Sequence, residues 1–261
     1  MRVSLIITTY NRPDALLLVL RSIERQITLP YEVIIADDGS TNDTKEVITS
    51  FQEKSDILVI HSWQEDSGFR VAKSRNKAIS KSNGDYIVLV DGDMILHPEF
   101  INDHIDNAQP GYFVQGSRVL LTQDKTKQAL NQQKINFSLL SYGLQNRKNA
   151  IHSNSLSRLF SNKKNMMRGI KSCNLAFFKQ DFVSVNGFNN EFEGWGREDS
   201  EFIMRLMNIG INRKNVRFNA IQFHLWHNEN IRNSLEKNEA ILQNTINNQI
   251  KWCDSGLKKF L

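Results

Sequence analysis

The sequence predicts an α/β fold, a mostly parallel sheet flanked by helices with a C-terminal helical extension, on three observations. Val3 to Thr9, Tyr31 to Ala36 and Tyr86 to Val90 are short runs dominated by apolar and β-branched residues, the pattern of strands buried on both faces of a parallel sheet. Segments with apolar residues three or four apart lie between them, and the order strand, helix, strand requires right-handed parallel crossovers. Each run stops at a polar break: Tyr10-Asn11-Arg12-Pro13, Asp37-Asp38-Gly39-Ser40 and Asp91-Gly92-Asp93. With 261 residues, 40% of them hydrophobic, the chain can bury a full core as one large domain or as a domain with an appendage.

After the first strand, Asp14 to Ile27 sets Leu17, Leu20, Ile23 and Ile27 on one helical face. The second strand follows, then a helix from Thr44 to Phe51, a third strand from Ile57 to His61, and a helix from Val71 to Ser80 with Ala72 and Ala78 as small packing positions. Tyr86 to Val90 is the fourth strand. Pro98 to Asn107 reads as a short helix and Tyr112 to Leu121 as one strand. No period is visible again until Ser172 to Phe178. Phe182, Val183 and Val185 form an apolar patch closed by the turn signal Asn186-Gly187. Ser200 to Asn208 is an amphipathic helix carrying Phe202, Ile203, Leu206 and Met207, and the tail spaces Ile231, Leu235, Ile241, Leu242, Ile246 and Ile250 loosely as a helix. There is no internal repeat.

The formal charge of +5 is unevenly spread. Residues 122–171 hold ten Lys and Arg against one acid, Asp124, so this segment carries the excess. It reads either as a solvated surface loop or as a region drawn to an anionic lipid surface or an anionic acceptor. It lacks the aromatic interleaving of a single-strand platform, so nucleic acid is not an expected partner. No run approaches the roughly 18 apolar residues of a membrane span, and Met1 leads directly into a strand; the expectation is a cytoplasmic protein, with peripheral contact at the inner membrane face through 122–171. Cys173 and Cys253 are the only cysteines, too few and too far apart to indicate a disulfide framework or a zinc site.

The chemistry is expected where the strands end. Ligands of open α/β sheets bind beyond the carboxyl ends of the strands. There Asp91 and Asp93, two residues apart in extended chain, can point the same way, with Gly92 between them letting a ligand approach the backbone closely. That pair suits a divalent cation carrying a phosphate on its far side. A calcium loop needs further oxygen ligands at alternate positions, whereas Met94-Ile95-Leu96 follows.

Four features taken together, Asp37-Asp38, Asp91-Gly92-Asp93, Gly194-Trp195-Gly196-Arg197-Glu198-Asp199 and His224-Leu225-Trp226-His227, resemble the inverting nucleotide-sugar glycosyltransferases of family 2, with the Rossmann-like GT-A fold. The opening Val-Ser-Leu-Ile-Ile-Thr-Thr-Tyr-Asn is also typical of it, and Gly-Trp-Gly-Arg-Glu-Asp resembles the galactosyltransferase-type motif of chondroitin-polymerase-like bacterial enzymes. The motifs cover about residues 1–121 and 170–230, with nothing recognisable between.

The resemblance implies a GT-A domain over 1–227, made of a nucleotide-binding half (1–121), the basic variable segment (122–171) and an acceptor and catalytic half (172–227), with 228–261 as the helical extension. It implies a UDP-sugar donor, a saccharide acceptor and Mn²⁺ or Mg²⁺ as cofactor, in surface-glycan synthesis, and the basic charge of 122–171 suggests that the acceptor is lipid-linked or anionic. Thr8, Tyr10 and Asp38 would hold uridine, and Arg70 the nucleotide or diphosphate. Asp91 would meet the ribose or the metal's hydration shell, Gly92 would let the nucleotide donor approach the backbone, and Asp93, His227 and His224 would be the metal ligands. Asp199 would be the catalytic base, Glu198 would orient a substrate, and Gly194, Trp195 and Arg197 would border the sugar site.

Plainer readings stand beside these. Asp37 and Asp38 fit a capping pair in a strand-to-helix turn, and Lys73 and Arg75 fit solvated helix residues. Glu198 and Asp199 fit a helix N-terminus, and His61, His97, His104 and His152 fit surface or packing residues. Arg197 stands where many relatives have glycine, which implies either an obstructed loop or an added cation near the acceptor. Two rivals are a glycan-binding subunit on a transferase fold and a sugar nucleotidyltransferase; the latter calls for a glycine-rich loop that Thr8 to Asp14 lacks.

Overall fold

The computed structural model describes residues 1–228 and 234–261; of the tail positions named above, Ile231 lies outside the described residues. The first part runs β1 (Val3–Thr9), α1 (Pro13–Ile23), β2 (Glu32–Asp37), α2 (Asn42–Gln52), β3 (Val59–Trp63), α3 (Val71–Ser80) and β4 (Tyr86–Asp91). It continues through β5 (Met94–Leu96), α4 (Phe100–Asn107), β6 (Tyr112–Gln115), β7 (Val119–Leu121), α5 (Gln123–Asn131), β8 (Leu144–Gln145), α6 (Asn154–Phe160) and β9 (Asn162–Lys163). Then come β10 (Asn174–Phe178), α7 (Lys179–Ser184), α8 (Glu198–Asn208), β11 (Asn212–Asn215), β12 (Gln222–His224) and α9 (Leu235–Asn247).

An eight-stranded sheet has the order β3-β2-β1-β4-β10-β6-β11-β9, and a four-stranded sheet the order β5-β12-β7-β8. The strands from β3 to β4 are parallel, and β10 enters antiparallel between β4 and β6. Alternate residues of β1 serve opposite faces. Leu5 and Ile7 pack with Leu16, Leu20 and Phe100, while Ile6 packs with Ala72, Ile79 and Phe202. Burying one such Leu or Ile side chain contributes about 1.5–3 kcal/mol, so the two covered faces explain why these strands read as continuous apolar runs.

Three expectations are corrected. α1 stops four residues short of Ile27, which is 68% exposed and donates its N–H to the Pro98 carbonyl at 2.9 Å. Tyr112 to Leu121 is two strands in different sheets. The break is at Gly116, where an added Cβ would stand 2.4 Å from Asn174 Nδ2; that buried amide also donates to the carbonyls of Ser117 and Ala220, each at 2.8 Å. Finally, 122–171 is not a bare loop. It contains α5, capped by Thr122, and α6, capped by Ser153, and β9 pairs with β11 at the sheet edge. α5 is polar apart from Ala129 and Leu130, and α6 spans only 7 residues, so neither displays a sustained apolar period.

The C-terminal segment packs on the same core. Glu201 and Arg205 on α8 form a buried ion pair at 2.7 and 2.8 Å, and Thr245 of α9 donates to Glu201 at 3.2 Å. Further along, Leu257 joins the cluster that contains Ile79 and Phe202. No helix among the described residues is long and apolar enough to cross a membrane.

Candidate active site

The parallel register brings the strand ends together: Thr8 lies beside Asp91 and Thr9 beside Asp37. Asp37 and Asp38 then diverge. Asp37 Oδ1 accepts from the Ser40 N–H at 2.8 Å, and its Oδ2 contacts His61 Nε2 at 2.8 Å, which makes it a turn-holding group. Asp38 Oδ2 accepts from the Arg70 N–H at 2.7 Å and Oδ1 from Gln64 Nε2 at 2.6 Å; burial raises its pKa despite these donors. Each oxygen keeps a lone pair for a further donor. Tyr10, 48% exposed, donates to Asp66 at 2.9 Å and leaves its ring open to the mouth of the site. Arg70 donates a terminal N–H to the Glu65 carbonyl, and its Nε is buried with no protein partner among the described residues.

Asp93 lies 3.3 Å through Oδ2 from both His224 Nε2 and His227 Nε2. β12 pairs with β5 so that His224 faces Met94, and Leu225 donates its N–H to the Asp93 carbonyl at 3.0 Å. One ligand atom from each of the three residues falls within 4.8 Å of the others. Asp93 Oδ1 is buried without a protein partner. Burial pushes the Asp93 carboxyl up, but the bond from His224 and the charges of both histidines outweigh that and hold it below its ordinary value. A carboxylate kept ionised beside two imidazoles, with one oxygen unspent, fits a divalent metal, and the nitrogen ligands favour Mn²⁺ over Mg²⁺. Gly92 is buried, and a Cβ there would meet the Thr8 carbonyl oxygen and Thr9 Oγ1 at 3.0 Å. Its missing side chain therefore serves the close approach of β1.

Arg75 is the residue sequence reasoning undervalued. Its guanidinium, 3% exposed, donates to Thr8 Oγ1 at 3.1 Å, Asp91 Oδ1 at 3.3 Å and Glu198 Oε1 at 3.5 Å. The available signal was its place on the face of α3 that carries Ala72 and Ile79, three and four residues away. Glu198 is buried with Oε2 unpartnered. Burial, with repulsion from Asp199, pushes its carboxyl up to about 7 against the pull of Arg75. Asp199 is also raised, chiefly by burial, although its oxygens accept from the Ser200 N–H at 2.7 Å and the Ser172 N–H at 3.3 Å. Two neighbouring carboxyls resist joint ionisation, and Asp199 is the more accessible of the two.

The loop before α8 is gripped by the start of α9. Gly194 (φ +74) has room for no Cβ, which would stand 2.3 Å from Ser234 Oγ, and a Cβ on Gly196 (φ +106) would press on Leu235 at 3.2 Å. Buried Asn238 donates to the carbonyls of Glu193 at 3.2 Å and Gly196 at 3.0 Å. Arg197 adopts φ +78, a left-handed conformation that favours glycine, and pairs with Glu239 at 2.6 Å. The side chain is thus turned to α9. Trp195 is 37% exposed on this loop.

Among the other histidines, His152 contacts Asp103 at 3.0 Å and stacks on His97, and His104 is buried against Asn174 at 3.0 Å. Both cysteines are buried and unpaired.

The sequence profile described as Glycosyl transferase family 2 matches residues 4–168, more than half of the chain, and that described as the N-terminal domain of galactosyltransferase matches residues 155–228. These matches run through 122–171, so the likeness is wider than the motifs alone indicate. Hyaluronan synthase of Pasteurella multocida is 30% identical over 79% of this chain and 23% of its own length, and chondroitin synthase of Escherichia coli is 26% identical over 85% of this chain and 34% of its own. The chain thus spans about a quarter to a third of these relatives. In fold it is similar to S. aureus TarS 1-349, with a TM-score of 0.65 at 16% identity, over 100% of this chain and 68% of that one.

Proposed function

The chain belongs to glycosyl transferase family 2, and from that premise we propose that it moves a hexose or N-acetylhexosamine from a UDP-sugar to a saccharide hydroxyl, with inversion, in surface-glycan synthesis. The observation that carries the reading is the convergence of Asp93, His224 and His227 with the Arg75-held pair Asp91 and Glu198 and with Asp199 at one set of strand ends. The named activities of the relatives, hyaluronan and chondroitin synthesis, support a glycan product. TarS has been captured with UDP and with UDP-GlcNAc, and a Pyrobaculum calidifontis mannosyltransferase of similar fold with GDP-Man and Mn²⁺; these set the donors to try first.

In this reading Thr8, Tyr10 and Asp38 hold the nucleoside, with Asp38 accepting from the base. Arg70 faces the nucleotide. Asp93, His224 and His227 would hold Mn²⁺ or Mg²⁺, and charge compensation of the departing diphosphate is the chemistry that ion supplies when bound. Asp199 accepts the proton of the acceptor hydroxyl as that oxygen bonds the anomeric carbon on the side opposite the breaking bond to UDP. Glu198, sharing the proton economy of its neighbour, orients the sugar through Oε2, and Trp195 offers a ring face for the sugar to pack on.

The basic segment is the place for peripheral contact with a membrane or a lipid-linked acceptor. It exposes Leu140 (89%) and Tyr142 (85%) among its cations, the combination that interfacial binding uses.

Titration of UDP into the protein by calorimetry, with and without Mn²⁺, tests the metal assignment. The reading expects Mn²⁺ to tighten UDP at least about tenfold, as one ionic contact would, and His227→Ala with His224→Ala to abolish the difference. Metal-indifferent UDP binding would remove the metal from the account.

A further inference from the structure

Two cations stand beside the carboxylates without an ion pair among the described residues. Arg118 lies in the turn between β6 and β7, and Lys171 in the segment leading into β10. Buried Gln115 fixes the second: its carbonyl accepts from the Lys171 N–H at 3.1 Å, and its amide donates to the carbonyls of Lys171 at 3.0 Å and Asn174 at 2.9 Å. Asn149 holds the first, donating to the Arg118 carbonyl at 3.0 Å.

The Arg118 guanidinium reaches Sγ of buried Cys173 at 3.7 Å, and Cys173 directly precedes Asn174, which pairs with Val90 next to Asp91. Ser172, the neighbour of Lys171, is the residue whose N–H binds Asp199. The two cations act on one another: burial and then repulsion from Arg118 pull the Lys171 ammonium down, against attraction from Asp199. Neither cation forms an ion pair among the described residues.

We infer that Arg118 and Lys171 form an anion subsite that selects an acceptor sugar bearing a carboxylate or a phosphate. Like charges carried on two chain segments that Gln115 and Asn149 fix near one another are unfavourable alone and become favourable around an anion, and the guanidinium fork matches both oxyanions. The acceptor, rather than the donor, is the source of that anion on grounds of position. Lys171 and Ser172 share a segment with the contact to the proposed base, whereas the donor's diphosphate is assigned to the Asp93 trio. The inference rests on the transferase reading above.

The test starts from the protein loaded with Mn²⁺ and UDP and titrated, by ligand-observed NMR, with glucuronic acid, glucose 6-phosphate and glucose. At least one charged sugar should bind about tenfold more tightly than glucose, the effect of one charge-assisted hydrogen bond. Which one does so identifies carboxylate or phosphate. Arg118→Gln with Lys171→Gln should bring that sugar to within about twofold of glucose while the UDP Kd moves less than about twofold, and Arg118→Lys with Lys171→Arg should keep the preference. Equal binding of charged and neutral sugars by the wild type overturns the inference. So does a double variant that loosens UDP as much as the charged sugar, because the cations would then belong to the donor. Failure of the wild type to bind UDP at all would instead bring down the transferase reading on which the inference stands.

Discussion

Arg75 shows how much one side chain organises. A buried guanidinium bonded to Thr8, Asp91 and Glu198 joins the ends of β1 and β4 to the start of α8, and its fork is needed because a lysine ammonium offers no such spread of donors. Arg75→Met should lower stability by about 2 kcal/mol in urea unfolding, below the usual cost of breaking a buried pair because Asp91 is partly solvated, and Arg75→Lys should not restore activity. Glu198 carries a pH signature. Its pKa in the folded chain, about 7, lies above the ordinary 4.5, so the folded state holds this proton more tightly than the unfolded one. The stability it contributes is complete below about pH 4.5 and is lost as pH rises through about 7. The urea midpoint should therefore fall more between pH 5 and 7.5 in the wild type than in Glu198→Gln; an equal fall would remove Glu198 from the set of buried acids. Asp93, Asp199 and the histidine pair were legible in the sequence because they stand in short motifs at strand and helix ends. Arg75, Arg118 and Lys171 were not, since their positions depend on which helix face and which turn meet the carboxylates.

At the scale of elements, the Gly-Trp-Gly-Arg loop is fixed by α9. The sequence predicts a helical tail, and its packing role appears only when Ser234, Leu235 and Asn238 are seen against the loop. Gly194→Ala should cost about 2 kcal/mol or more, from its left-handed backbone together with the contact to Ser234. Adding Ser234→Gly should recover part of that loss and leave the backbone part. Arg197→Gly exchanges a strained backbone for a lost, half-exposed ion pair, and thermal melting should register a change of less than about 1 kcal/mol. The strands of the first half were readable because each is covered on both faces, whereas Tyr112 to Leu121 misled as a single strand because Gly116 alone is a weak break signal and the amide that holds the bend comes from distant Asn174.

The whole molecule sets a sheet with acidic strand ends against a basic segment. The fold class was visible from the alternation of buried strands and helices, and it stands confirmed by the observed sheet order and the likeness to TarS; the helices within 122–171 escaped notice for want of a sustained apolar period. If that segment meets anionic membranes, Arg147→Glu, Lys148→Glu, Lys163→Glu and Lys164→Glu together should reduce co-sedimentation with phosphatidylserine vesicles at least about tenfold, given about 1 kcal/mol for each cation near such a surface, and unchanged sedimentation would remove membrane contact from the proposal. The central claim is sugar transfer with Asp199 as base, and UDP release in Mn²⁺ from a panel of UDP-sugars, with and without pooled oligosaccharide acceptors, tests it most directly. The account predicts acceptor-stimulated release from one donor, falling at least about 100-fold in Asp199→Asn with UDP affinity unchanged. Stimulated release that survives in Asp199→Asn would contradict the assignment of the base, and absence of release from every donor together with absence of UDP binding would contradict the transferase itself.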